Sequence, residues 1–513
     1  MRRSIIALSL VCSFTLHAQQ DWNLDPLNIA RGHIALGLGN GSTAYAIDRN
    51  FGFDSSYVEV MWCDPMQNVM QAASIRTHQP LNFLNDARLA GEGMMVAGTS
   101  YGFLDYPSVM KLDSLGNVEW YDGLLGLMTI DNHYQDQIGV LLVEGNGFSA
   151  YTYPGGTWRD GIYRFNGSVA NGFYQTGGHE VATPTDVRFR IGCGTLTPVA
   201  GTHVLGGSGY MNDDAQTKEV LLWKMNSAGT SWMRYYDMGS DGPISQVEEA
   251  ATVRLLTDST YLVVGSLANA NNQFDAFAMK VTTAGSVVWC RRYTRTGGGI
   301  QFGDVFELPN GDLLIGGTDD LFRGRMLLLA ANGTIQWSRR YLSSGQPAAH
   351  LLHGIRAAYP EGYWVHSARH QLYLDPALNG CDFTDEPDIA GNAFTPAVTD
   401  LNYTDLPQAP DTLGLSWQER TPELSWQANC TFNAVEEGAA TSPLLAYPDP
   451  TNGPLFLNGD DVRTGMLVVV RDLMGREVHS TRYHGVLDLS RLAPGGYLVE
   501  LPELQRRVRV VKR

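Results

Sequence analysis

Three observations predict an all-β chain, a seven-bladed β-propeller followed by a small immunoglobulin-like β-sandwich. A unit with room for four short strands recurs along most of the chain, at a period of roughly 50 residues. Glycine is frequent, 56 of 513 residues, as many tight turns require. The C-terminal segment breaks into short apolar runs, Met466–Val470, Gly496–Leu501 and Val508–Val511, separated by Gly and Pro.

Two copies of the repeat are clearest. One reads Asp258-Ser-Thr-Tyr-Leu-Val-Val-Gly265, Asp275-Ala-Phe-Ala-Met-Lys280, then Gly285-Ser-Val-Val-Trp289-Cys-Arg-Arg-Tyr293. The next reads Asn310-Gly-Asp-Leu-Leu-Ile-Gly-Gly317, then Asn332-Gly-Thr-Ile-Gln-Trp337-Ser-Arg-Arg-Tyr341. Earlier copies run from Thr202-His-Val-Leu-Gly-Gly207 to Trp232 and from Gly93-Met-Met-Val-Ala-Gly98 to Trp120. Trp232 and Trp289 are 57 residues apart, Trp289 and Trp337 48, and Trp120 and Trp232 112, so a copy without its Trp fills that last gap. Degenerate strands at Gly147-Phe-Ser-Ala-Tyr151 and Gly161-Ile-Tyr-Arg-Phe165 supply it. Ser42-Thr-Ala-Tyr-Ala46 and Gly362-Tyr-Trp-Val-His366 begin and end the series, which makes seven. These outer copies are the weakest, so rings of six or eight blades are the alternatives.

Within a copy, a Gly-containing turn opens an apolar strand whose own glycines let a neighbouring backbone approach. The later Gly-x-x-x-Trp is a turn followed by a strand that carries a large packing residue. This element resembles the tryptophan blade motif of quinoprotein-dehydrogenase-like propellers, and the whole blade is similar to uncharacterised propellers of secreted Bacteroidetes proteins. The copy ending at Trp232 departs from it by one residue fewer after Gly229. The resemblance implies a fold and leaves the activity open.

The chemistry-bearing motifs are sparse. Gly98-Thr-Ser-Tyr-Gly102 matches the serine-hydrolase pattern, but it closes a blade strand and lacks the strand-to-helix elbow that exposes the nucleophile. His350 and His353, and His366 and His370, have no Glu or Cys partners at zinc spacing. The acidic run Asp382 to Asp388 lacks the order of an EF-hand loop; calcium at Asp382, Asp385 and Asp388 is the one cofactor it leaves open. An aromatic group, Tyr151, Tyr153, Trp158 and Tyr163, gathers in the degenerate third copy and is the candidate contact site for a sugar ring or a protein partner.

The ends of the chain carry addresses. Arg2 and Arg3 precede an apolar run from Ile5 to Leu16, and Leu16-His-Ala18 places a small residue where a signal peptidase cuts, leaving Gln19 first. No later run is long enough for a transmembrane helix. At the other end stand Tyr447-Pro448-Asp-Pro450-Thr451-Asn452-Gly453, Val470-Arg-Asp472-Leu-Met-Gly475-Arg476-Glu-Val478 and Leu487-Asp-Leu-Ser-Arg-Leu492-Ala-Pro-Gly-Gly496-Tyr497-Leu-Val499, with a basic terminus to Arg513. This order of motifs resembles the type A C-terminal sorting domain of Bacteroidetes type IX secretion cargo. Asp449 stands where that family usually has Asn. The resemblance implies passage across the outer membrane, the secretion machinery as a partner, and a secreted or cell-surface location.

The expected organisation is a leader over 1–18, a propeller over 19–384, an irregular extension packed on it over 385–432, a linker over 433–444 and the sorting domain over 445–513. The chain carries a net charge of −17, yet from Ala446 onward ten Lys/Arg face eight Asp/Glu, so the acidic excess sits on the central region and disfavours nucleic acid. Loss of Cys12 with the leader leaves five cysteines, of which Cys381 and Cys430 are the expected disulfide and Cys63 and Cys290, each after a Trp, are expected as buried small hydrophobes. The leading expectation is a non-enzymatic module that binds glycan or protein. The alternatives are a glycan-processing or quinone-dependent enzyme with its site in the ring channel, and a structural surface-coat component.

Overall fold

The computed structural model describes residues 19–23, 30–38, 42–49, 57–64, 69–77, 81–100, 106–125, 136–154, 161–172, 178–182, 187–211, 218–226, 228–239, 249–271, 273–341, 352–358, 361–366, 370–380, 383–401, 403–408, 411–414, 417–420, 427–432, 445–447, 451–458, 462–472, 476–504 and 506–513. The chain divides into two compact units, Met1–Phe432 and Asn433–Arg513. Among the described residues no helix is long and apolar enough to cross a membrane.

The first unit is all-β and propeller-like. Its described residues form seven five-stranded antiparallel sheets. Six of them take four consecutive strands each: sheet 1 from Ala30–Gly37 to Val69–Thr77, sheet 2 from Leu81–Ala90 to Val118–Leu125, sheet 3 from Asp136–Glu144 to Gly178–Ala182, sheet 4 from Val187–Leu196 to Gly229–Asp237, sheet 5 from Glu249–Leu255 to Val287–Arg295, and sheet 6 from Ile300–Glu307 to Ile335–Tyr341. The first strands of successive sheets lie against one another, and that of sheet 7, His353–Ala357, lies against that of sheet 1, Ala30–Gly37. Sheet 7 takes three consecutive strands and is completed by the distant Gln19–Asn23, which pairs with His370–Leu374.

The expected irregular extension is regular, which corrects the sequence reading. Residues 383–432 make seven short strands, and each becomes the fifth, outermost strand of one sheet. They visit the sheets in reverse order: Phe383–Asp385 joins sheet 6, Ile389–Phe394 sheet 5 and Ala397–Asp400 sheet 4. Thr404–Gln408, Asp411–Gly414 and Trp417–Arg420 follow on sheets 3, 2 and 1, and Gln427–Phe432 ends on sheet 7 beside Gln19–Asn23. The chain thus belts its own ring and covers seven sheet edges that would otherwise stand open.

The Gly-x-x-x-Trp elements join neighbouring sheets. Gly285 and Gly333 adopt φ +79° and +80°, angles that favour glycine. A Cβ at Gly333 would sit 2.8 Å from the Trp289 ring, and one at Gly285 3.3 Å from Trp232, so each turn seats on the preceding sheet's tryptophan. The tyrosine four residues past that tryptophan completes the joint: Tyr236 and Tyr293 donate at 2.7 Å to the carbonyls of Gly285 and Gly333. Large apolar clusters fill six of the seven junctions, for example Tyr293, Phe302, Val305, Ile315 and Leu327 between sheets 5 and 6.

The second unit has a three-stranded sheet, Leu445–Tyr447, Pro454–Asn458 and Leu487–Asp488, and a four-stranded one, Leu467–Asp472, Glu477–Arg482, Gly495–Leu501 and Arg506–Lys512. They share a core of Leu455, Val468, Val470, Leu487, Val499 and Val510. Thr451, fully buried, donates from its hydroxyl to the Pro454 carbonyl at 2.8 Å, and its backbone is bonded to Val511 and Arg513. Tyr497 donates to the Ala493 carbonyl at 2.7 Å. Pro448, Pro450 and Gly475 lie outside the described residues.

Candidate functional site

Each first strand carries a register shift, at matching points Leu84/Asp86 in sheet 2, Ala250/Thr252 in sheet 5 and Phe302/Asp304 in sheet 6. The local cause is visible in the second strands. A Cβ at Gly207, Gly265 or Gly317 would fall 1.9–2.1 Å from a carbonyl oxygen of the first strand, so only glycine admits the bulged backbone there. The residue after the bulge then reaches the next sheet. Asp86 accepts from the amides of Ala87 at 2.8 Å and Leu141 of sheet 3 at 2.9 Å. Asp304 accepts from Val305 at 2.8 Å and Ile355 of sheet 7 at 2.9 Å. Thr252 donates to the Gly303 carbonyl at 2.8 Å, and the Cys193 thiol lies 3.5 Å from the Ala250 carbonyl.

Two residues further on, the same strands carry arginines: Arg88 in sheet 2, Arg254 in sheet 5 and Arg356 in sheet 7. The matching amide contacts of Leu141 and Ile355 place Arg356 at the level of the other two. A cavity of about 450 Å³ opens among the first strands, and all three arginines, Asp86 and Asp304 line it. Arg88 donates to Asp86 at 3.0 Å and to the Leu141 carbonyl at 2.8 Å. Arg254 donates from Nη2 to both Asp304 oxygens at 3.1 and 3.3 Å, an ion pair that holds its pKa above the ordinary value. Burial pushes the Asp86 carboxyl up, against the pull of Arg88 and the two amides.

Arg356 differs from its equivalents. Only 9% exposed, it donates from Nη2 to Thr43 Oγ1 at 2.6 Å and lies 6.0 Å from the Trp364 ring. Its Nε and Nη1 have no hydrogen-bond partner among the described residues, and burial lowers its pKa. It sits at the junction between sheets 7 and 1, where the filling is polar. Tyr45 donates to the Gln371 side chain and meets the fully buried His366 edge-on at 5.7 Å, while Trp364 and Tyr373 of sheet 7 pack against each other at 5.1 Å.

The structure redistributes the sequence candidates. Tyr151, expected as a contact residue, is fully buried between sheets 3 and 4, bonded to His203 Nδ1 at 2.8 Å and 6.0 Å from the Trp223 ring. Packing, not display, explains that aromatic. Tyr153 and Tyr163 lie on strands of sheet 3, their side chains outside the described residues, as is Trp158 altogether. Asp385 is bonded to Arg339, and Asp388 to Arg295 and Arg325; Asp382 is outside the described residues. Among the described residues no three His, Cys, Asp or Glu side chains group as metal ligands.

Cys63 and Cys290 are buried free thiols, as expected of small hydrophobes, on a third and a fourth strand. Cys193 is also free. Cys430 lies on Gln427–Phe432 opposite Asp21, and Cys381 is outside the described residues, as is His350. Gly98 to Ser100 close the second strand of sheet 2, as expected of a blade strand. Sequence reasoning missed the arginines. The signal was there: Asp86-Ala-Arg88, Thr252-Val-Arg254 and Gly354-Ile-Arg356 recur at one position of the repeat.

No family model matches the chain, and no curated protein matches it. Among solved structures, a protein of unknown function from Bacteroides caccae is similar over 58% of this chain and 98% of its own, at 10% identity and a TM-score of 0.34. The full extracellular region of Plexin A4 is similar over 96% of this chain and 76% of its own, at 8% identity and a TM-score of 0.41. Similarity this distant leaves the reading to the residues of the chain itself.

Proposed function

We propose that this chain is a secreted or surface-held seven-bladed β-propeller that binds its ligand in the central channel without transforming it. The seven sheets, with first strands in a closed circuit, support the blade count. One observation carries the functional reading: both carboxylates lining the cavity are committed to structure. Asp86 and Asp304 each accept from two backbone amides and an arginine, bonds that tie the first strands of neighbouring sheets together. A channel enzyme acting through acid–base chemistry needs such a group free. A binding site needs only fixed donors around a cavity of this size.

The second unit is read as the type IX sorting domain, an immunoglobulin-like sandwich whose Thr451-Asn-Gly453 turn clasps the last strand. Calorimetry of the purified chain against a panel of neutral and acidic polysaccharides tests the first claim. Saturable heat without product release is expected, and release of product from any member rejects it. Secretion of a chain ending at residue 444 from a type IX-competent cell tests the second; export at the full-length level would reject it.

A further inference from the structure

We propose that the channel recognises an oxyanion, a carboxylate or phosphate group on a small ligand, held by Arg88, Arg254 and Arg356. The proposal rests on the channel reading above and names the ligand's chemistry.

Charge is the first argument. Three guanidinium groups and two carboxylates line the cavity, and the carboxylates are already neutralised by one arginine each. The third cation, Arg356, has the Tyr45 phenol and the Cys63 thiol beside it but no carboxylate paired with it among the described residues. A buried guanidinium stays protonated, and leaving it without a counter-charge is costly, so the fold holds a place for an anion. Geometry is the second argument. The three arginines share one level of the ring, and each keeps donors in hand. Among the described residues Arg254 spends Nη2 alone on Asp304, Arg88 bonds through Nε and Nη2 and not Nη1, and Arg356 keeps Nε and Nη1 unbonded though buried. Planar forks of this kind match the paired oxygens of carboxylate and phosphate. Contrast is the third. On a chain of net charge −17 a cationic cavity is a local inversion, and anions are admitted there while the surrounding surface repels them.

The test measures the melting temperature and calorimetric binding of the purified chain at matched ionic strength with inorganic phosphate, D-glucuronate or D-glucose. Arg254→Gln and Arg356→Met are compared with the parent. Either anion should raise the parent's melting temperature while glucose does not, and each substitution should weaken anion binding by about tenfold or more. Stronger binding of glucuronate identifies an acidic sugar; stronger binding of phosphate identifies a phosphorylated ligand. The Arg254 side chain is half-exposed, so Arg254→Gln decides the matter even where Arg356→Met fails to fold. A parent chain that neither anion stabilises overturns the proposal. If that chain still binds a neutral polysaccharide, unaffected by Arg254→Gln, the channel oxyanion site is wrong and the binding reading stands. If it binds nothing at all, both fall.

Discussion

Burial sets the charge of His203. The ring is 3% exposed, and desolvation, helped by Arg164, pushes its pKa down to about 4. Glu144 lies 3.9 Å from Nε2, too far to offset that burial, and its carboxylate is held by the Gly201 amide. The neutral ring shares a hydrogen bond with the Tyr151 hydroxyl through Nδ1. Its contribution to stability is therefore complete above pH 6.5, the unfolded value, and shrinks as pH falls, until it is gone below about 4. The loss is at most roughly 3 kcal/mol. His203→Gln keeps an acceptor for Tyr151 and does not titrate, so the parent's melting temperature should fall more steeply than the variant's between pH 6.5 and 4. Parallel curves would refute a buried neutral histidine. At this scale the sequence shows residue type and not environment. Tyr151 reads as an available aromatic because nothing local reveals that Trp223, some seventy residues on, lies against it.

The outer belt explains why elements were only partly legible. The repeat strands announce themselves by Gly-bounded apolar runs, and their order follows from spacing. The belt strands are three to six residues long, and those of sheets 4 and 5 are largely exposed, so they carry no alternation to read. What holds them is distant in sequence. Arg325, fully buried, donates to Asp319 at 3.0 Å and pairs with Glu386 at 2.6 Å and Asp388 at 3.2 Å, while Arg295 adds a bond to Asp388 at 2.7 Å. Arg325→Met removes a buried cation shared by Asp319, Glu386 and Asp388, which keep Arg323, Arg340 and Arg295, and should destabilise the first unit by about 1.5–3 kcal/mol in urea titration. Arg339→Ala, whose partner Asp385 is exposed, should cost under ~1 kcal/mol. Equal effects would mean that the buried cluster does not lock the belt. Hydrogen exchange should likewise find the amides of Ala397–Asp400 opening before those of Leu313–Asp319, since an outer edge strand unzips without disturbing the sheet beneath.

At the scale of the ring, one junction differs from the other six. Among the described residues no large apolar cluster spans the gap between sheets 7 and 1; Arg356, Tyr45, His366 and Gln371 meet there beside Trp364. Closure then falls to the strand Gln19–Asn23. It pairs with His370–Leu374 on one side and Gln427–Phe432 on the other, so it joins the beginning of the chain to the end of the belt. Deleting residues 19–23 removes two ladders at once. At roughly 1 kcal/mol for each net hydrogen bond, the first unit should lose about 3–6 kcal/mol, read as a lower melting temperature. The groove left between two strands is an empty slot in a sheet, the geometry that accepts a strand from outside. A synthetic peptide of residues 19–27 added to the deleted chain should therefore restore the melting temperature, while a scrambled peptide should not. A deletion that leaves the melting temperature unchanged would show that the polar junction closes the ring by itself. Destabilisation without rescue would show that the strand acts in folding and not in the finished ring.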